Sequence, residues 1–345
     1  MSNLKASSIW AAALCCLPLA LYAHHARFEF DDSQLVEVQG EVTSVFWRNP
    51  HVRFALSAVG EDGGEVLWEM EGGSVNTLQR QGVDSDIVAV GDHIKVYGLV
   101  SRRDDRALLP VYLTLANGRD VAMLEDRARS LGLIEEGAGP TAAAVDDEKI
   151  ELAVRQASGI FRVWTNTHRS GGNSNLPLTE TALAAKEAWY QPTDDPALRC
   201  EPPGMPENML SPYPIEFVDR GAELTLRLEE WDGLRVIHMD PAGGGEDRPA
   251  TLMGYSVGRW EGQTLVVETT KLNSRYFDAR GTPHSTSSQI LERFTLSEDA
   301  SRLDWEATVI DPETFTEPVS PQKMHWAWVP GEEVKPFNCT VPDRG

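Results

Sequence analysis

The chain has 345 residues, 41% of them hydrophobic, which gives length for two ordinary domains and apolar content for a core in each, so wholesale disorder is excluded. Its 31 Lys+Arg stand against 53 Asp+Glu, a formal net charge of −22. A surface that tracks phosphates must be locally basic to release counterions, so nucleic acid is disfavoured as a partner.

Residues 1–23 carry Lys5, an apolar stretch from Ile9 to Leu21 interrupted by Pro18, and Ala23 at the end. That is the pattern of a secretory signal peptide, and it implies a periplasmic or secreted protein beginning at His24. The apolar run is shorter than the roughly 20 residues of a bilayer span, and no later segment reaches that length, so no transmembrane segment is expected. Cys15 and Cys16 fall within the leader, where Ala13-Leu14 makes a poor lipobox. Cys200 and Cys339 remain, an even pair in an oxidising compartment, and a disulfide between them is the expectation.

Residues 24–120 follow strand logic. Val36, Val38, Val42 and Val45-Phe46-Trp47 lead to Asn49-Pro50, and Val52, Phe54 and Leu56 then alternate with Arg53 and Ala55 before the turn Glu61-Asp62-Gly63-Gly64. Val66-Leu67-Trp68 makes a third strand, Ser74 N-caps a short helix running to Gln81 and stopping at Gly82, and 93–100 and 110–115 supply two more strands. The order β-β-β-α-β-β predicts an OB-like five-stranded barrel. It holds nine Lys+Arg against sixteen Asp+Glu, again unsuited to polyanions. Residues 121–157 have helix-favouring ends around Gly137-Ala138-Gly139-Pro140 and read as a helical linker.

Residues 158–345 open on a strand at Gly159–Trp164, then a helix near Thr179–Tyr190 and a proline-rich stretch over 192–214. Strands follow at 215–218, 224–228, 234–239, 252–260, 264–270, 289–296, 303–310 and 324–329, separated by turns such as Asp232-Gly233, Gly243-Gly244-Gly245 and Glu261-Gly262. Because closure removes exposed edges, about nine antiparallel strands predict a closed, lipocalin-like β-barrel. The fold class is therefore all-β with minor helices, in two barrels.

The stretch Met253-Gly254-Tyr255-Ser256-Val257-Gly258-Arg259-Trp260-Glu261-Gly262-Gln263-Thr264-Leu265-Val266-Val267-Glu268-Thr269 resembles a class of secreted bacterial proteins with a G-H-S-I-G-R-W-E-G-D-T-L-V-V-D-T signature. The resemblance extends to Cys200–Pro206, Ser211–Ile215, Pro283-His284-Ser285 and Leu291–Phe294, although the histidine of G-H-S is Tyr255 here. The first domain is similar to a small secreted family whose mature chains begin His-His and carry W-x-N-P-H, here His24-His25 and Trp47–His51. Neither resemblance implies an established activity.

Three constellations bear chemistry. His24, His25 and His51 could chelate copper or zinc if the barrel returns His51 to the mature N-terminus, against the alternative of a solvated terminus and a backbone-bonded loop histidine. His284 in a loop and Glu292 and Arg293 on one strand, with Tyr255 and Arg259, could assemble an acid/base site. There an inward Glu292 would have a raised pKa; the alternative is an ion pair of Glu292 or Glu261 with Arg293 or Arg259. His238 and Asp240 share a strand face opposite Arg235 and could orient an imidazole. No phosphate loop or dinucleotide fingerprint occurs. Trp231, Trp260, Trp305, Trp326 and Trp328 either fill the second barrel or line a ligand cup. The leading expectation is a small, partly apolar ligand inside the C-terminal barrel. The alternatives are a cofactor-independent lyase, isomerase or hydratase at its mouth, and a copper or zinc carrier; no cofactor is required by the first two.

Overall fold

A computed structural model describes residues 30–102, 104–134, 146–173, 175–240 and 247–341, so the leader, His24 and His25 lie outside the described residues. No helix among the described residues is long and apolar enough to cross a membrane.

The first barrel is built from β1 (Phe30–Phe46), β2 (Arg53–Val59), β3 (Glu65–Glu71), β4 (His93–Ser101) and β5 (Ala107–Thr114). Neighbours run β3-β2-β1-β4-β5, and a parallel pairing of β3 with β5 closes the circle; β6 (Asp120–Ala122) extends β5. The long β1 serves both β2 and β4, with a register shift between Val42 and Ser44 that lets one strand bend around the barrel. Helix α1 (Val75–Arg80) plugs the space between β3 and β4. Ser74 caps it by accepting from the Thr77 amide, and Gly82 at φ 73° turns the chain away, as the sequence predicts. Val42, Phe54, Leu56, Met70, Leu78 and Val96 fill the core. Helices α2 (Glu125–Ser130) and α3 (Asp147–Gln156) lie in the expected linker, and residues 135–145 are outside the described residues.

The second barrel closes nine strands: β7 (Val163–Ser170), β8 (Ile215–Asp219), β9 (Glu223–Leu228), β10 (Gly233–His238), β11 (Tyr255–Glu261), β12 (Thr264–Thr270), β13 (Gln289–Leu296), β14 (Arg302–Ile310) and β15 (Lys323–Trp328). β15 returns to β7, so no edge is left open. Helices α4 (Glu180–Ala188) and α5 (Gln191–Asp194) fall in the long connection from β7 to β8. One expectation is corrected: the barrel is not wholly antiparallel, because β10 and β11 run the same way at Ile237↔Ser256 and His238↔Val257. The connection between them, of which residues 241–246 lie outside the described residues, is therefore not the Gly-rich hairpin turn expected at Gly243-Gly244-Gly245. Gly258 permits the close approach of these two strands, since a Cβ there would stand 2.7 Å from Ile237 Cγ2.

Alternation fixes what faces inward: β13 buries Ile290, Glu292 and Phe294 and exposes Leu291 and Arg293. Trp164, Trp305, Trp326, Phe217 and Phe294 are fully buried and pack across the lumen. The tryptophans that the sequence offered as core or cup divide accordingly: Trp305 and Trp326 are core, whereas Trp260 lies outside and is exposed. Close-packed rings occupy the lumen at this level, and the rims are where the barrel meets water.

The C-terminal tail straps the two barrels together. Cys339 is bonded to Cys200, the pair expected from the sequence. Asn49 of the first barrel, almost fully buried, donates through Nδ2 to Asn76 Oδ1 (2.8 Å) and to the Phe337 carbonyl, while its Oδ1 accepts from the Val75 amide (2.9 Å). Arg80 on α1 grips Glu229, which follows β9, with two bonds of 2.6 Å each, and Asn76 Nδ2 adds a third at 2.9 Å. Asn49 of W-x-N-P-H is thus a hub of the inter-barrel contact.

Candidate functional site

The residues named from the sequence do not converge. Glu292 does point inward, but its partner is Arg235 rather than Arg259 or Arg293. Arg235 binds both carboxylate oxygens, and Trp305 Nε1 (3.0 Å) and Thr269 Oγ1 (3.2 Å) supply further donors. Arg235 also donates to Ser256 and Thr269, so every arm of the buried pair is engaged. Arg259 and Arg293 both meet Glu261 on the outer wall. That is the ion-pair alternative, with Glu261 as its acid.

His284 sits in the loop between β12 and β13, nearly buried, between Ser274 Oγ on Nδ1 (2.6 Å) and Ser288 Oγ on Nε2 (2.7 Å). Ser274 spends its own proton on the Met205 carbonyl, so Nδ1 carries the imidazole hydrogen and Nε2 accepts from Ser288. Burial lowers its pKa to about 4, which keeps the ring neutral. Its hydrogen bonds pin the 205, 274 and 288 segments over the barrel rim. Tyr255 is turned outward, stacked on His238 at 4.8 Å, and its hydroxyl has no hydrogen-bond partner among the described residues. His238 Nδ1 lies 3.0 Å from Glu223 across the β9–β10 ladder, so this imidazole has a carboxylate neighbour besides the expected Asp240. Asp240 lies two residues beyond the end of β10 and is exposed. His51 Nδ1 stands 3.0 Å from the Gly72 carbonyl, the backbone-bonded arrangement weighed against metal binding. No group of three metal-donor side chains occurs among the described residues.

A different set of ionisable groups does converge, at the rim where β7 ends. Arg169 lies opposite Met324, which is fully buried in the core, so paired side chains place Arg169 on the inner face; it is nevertheless exposed, and the rim is open to water there. Its charge reaches Glu207, in the 3-10 turn Glu207–Leu210, and Glu230, in the 3-10 turn Glu230–Asp232. Both carboxyls keep some surface open to water but are set deep among protein atoms. Burial raises Glu207 to about 8, helped by Asp278 and Glu230 nearby, and burial raises Glu230 to about 7 against a hydrogen bond from Ser211. Two carboxyls that hold protons near neutrality thus share one recess with a guanidinium.

The local backbone explains how Glu230 reaches it. Trp231 (φ 62°) and Asp232 (φ 50°) are both left-handed, a conformation costing about 1–3 kcal/mol each for residues with a Cβ. The reversal sends Glu229 to Arg80, Glu230 to the recess, Trp231 onto Phe337 at 5.4 Å, and Asp232 to the amides of Phe337 (2.8 Å) and Asn338 (3.1 Å). Tyr213, hydrogen-bonded to Ser74 and Thr77 of the α1 cap, also feels the Glu230 charge, so the recess borders the contact between the barrels. Neither Glu207 nor Glu230 is conspicuous in the sequence: one lies in a proline-rich stretch, the other in an acidic turn, and only the barrel closure brings β7 beside them.

A cavity of about 250 Å³ lies elsewhere, between α3 and the opposite end of the second barrel, where Leu152 and Gln156 face Phe161 and Trp328. Arg162 spans its floor, stacked 4.2 Å over Trp328 and bonded to the Ala300 carbonyl (3.1 Å). The arrangement is that of a linker helix resting on a barrel wall.

Compared with known families, residues 12–109 match the model of a family of unknown function (DUF6152). No curated protein matches the chain.

Proposed function

We propose that this is an exported two-barrel protein whose C-terminal barrel binds a small, partly apolar molecule at the recess on its rim, beside the first barrel, with Arg169, Glu207, Glu230 and Ser211 as the polar contacts. The carrying observation is that an inward-facing arginine is exposed at the rim while two carboxyls from separate turns lie enclosed within reach of its charge. Recesses at domain junctions with a few convergent polar groups on an apolar frame are common ligand sites. The first barrel then acts as a wall and a clamp through Arg80–Glu229.

A second reading, a cofactor-independent lyase, isomerase or hydratase, is favoured by one observation: Glu230 held near 7 can both give and take a proton at neutral pH. In that reading Glu230 is the acid/base, Glu207 a donor, and Arg169 the partner of an anionic intermediate, in place of His284, Glu292 and Tyr255. The copper or zinc reading stays a third proposal resting on His24, His25 and His51.

Native mass spectrometry of the chain exported from its own leader tests the leading reading, with 8-anilinonaphthalene-1-sulfonate as the added probe. The expected result is a one-to-one complex whose dissociation constant rises tenfold or more in Arg169→Ala. Equal dye affinity in the wild type, Arg169→Ala and Glu230→Gln would overturn it.

A further inference from the structure

On the outer wall of the second barrel, one residue along β7 from Arg169 and on the opposite face, three side chains from three strands form a relay. Ser170 Oγ lies 2.7 Å from His325 Nε2, and His325 Nδ1 lies 2.7 Å from Asp304 Oδ1. Register brings them together: His325 is directly opposite Asp304 on β14 and His168 on β7, and Ser170 is opposite Lys323. Asp304 Oδ2 is separately held by Arg302 Nε at 3.2 Å, which orients the carboxylate and leaves Oδ1 for the imidazole. His168 stacks on His325 at 4.2 Å and fixes the plane of the ring. His325 is 18% and Asp304 26% exposed, so the relay is shielded but reachable.

With Asp304 accepting from Nδ1–H, Nε2 is the lone-pair nitrogen and takes the Ser170 hydroxyl proton, the order of roles in a Ser-His-Asp nucleophile. We propose that Ser170, His325 and Asp304 form an esterase site for short acyl esters, separate from the rim recess. Ser170 Oγ attacks the ester carbonyl carbon as its proton passes to His325 Nε2. The tetrahedral intermediate collapses, the C–O bond to the alcohol breaks, and the alcohol leaves with that proton. Water then attacks the acyl-Ser170 ester, losing a proton to His325, and the carboxylic acid departs as Oγ is reprotonated. Exposed Gly171 and Gly172 follow the nucleophile, and their amides are the donors nearest in sequence for the oxyanion. Short acyl groups fit because the relay stands on an outer wall, flanked by Lys323.

The test is covalent labelling of the full chain with a fluorophosphonate, mapped by peptide mass spectrometry, with exposed Ser301 as the internal comparison. The expected result is one dominant adduct, on Ser170, formed at least about 100-fold faster than on Ser301, with His325→Gln losing that advantage and 4-nitrophenyl acetate turnover falling in step. Labelling of Ser170 no faster than Ser301 in the wild type overturns the proposal irrespective of how any variant folds. Loss of dye binding at the rim would leave this result untouched, so the two sites fail independently.

Discussion

At the scale of single residues, the same chemical type does opposite work according to what surrounds it. Glu292 is an inward carboxylate, as alternation along β13 requires, yet both its oxygens are bound by Arg235 and two neighbours add donors. Such a fully engaged pair is a structural element, and removing one member leaves a buried charge without a counter-ion. Glu292→Gln should therefore lower unfolding free energy by about 3–5 kcal/mol in urea titration; a change under about 1 kcal/mol would show that Arg235 is satisfied without it. For Glu207 and Glu230 desolvation outweighs the Arg169 charge and the hydrogen bonds from Ala279 and Ser211. The sequence could show that one of Glu292 and Arg293 faces inward, because strand period is local. It could not show that the partner would be Arg235, which lies 57 residues away and meets Glu292 only after the barrel closes.

Elements were more legible than partners. The α1 helix with its Ser74 cap, the strand series and the ring of nine were written in local period and turn chemistry, and several residues of the motif Gly254–Thr269 have a part in the fold. In it, Gly258 admits the parallel β10–β11 contact, Ser256 and Thr269 hold Arg235, and Arg259 ties to Glu261. The parallel pairing itself was not legible, since a strand's direction relative to its neighbour depends on the path of a connection that carries no periodic pattern. Nor was the role of Asn49 in W-x-N-P-H legible, since its partner in the tail, the Phe337 carbonyl, is 288 residues away. An element-level consequence concerns α1 and the 229–232 turn: among the described residues, Arg80→Ala leaves buried Glu229 with Asn76 and the Lys335 amide as hydrogen-bond donors. Scanning calorimetry should then resolve two transitions, one per barrel, with the first shifted down by several degrees. A single transition at the wild-type temperature would mean that the barrels are joined by the tail and disulfide alone.

At the scale of the whole molecule, the two barrels, the strap ending in the Cys200–Cys339 bond and the left-handed turn at Trp231-Asp232 together define one recess, and the account stands on its electrostatics. A carboxyl whose pKa is raised by the fold favours the folded state below its unfolded value near 4.5, and that contribution is lost as pH rises through about 7 for Glu230 and about 8 for Glu207. Because the Arg169 charge lowers both values, its removal must raise them. The decisive measurement is a carbon-13 NMR titration of the Glu207 and Glu230 side-chain carboxyls, assigned by Glu→Gln variants, in the wild type and in Arg169→Gln. The account predicts midpoints near 7 for Glu230 and 8 for Glu207, both moving upward in the variant. Midpoints in the ordinary range of about 4–5, unmoved by the loss of Arg169, would contradict it.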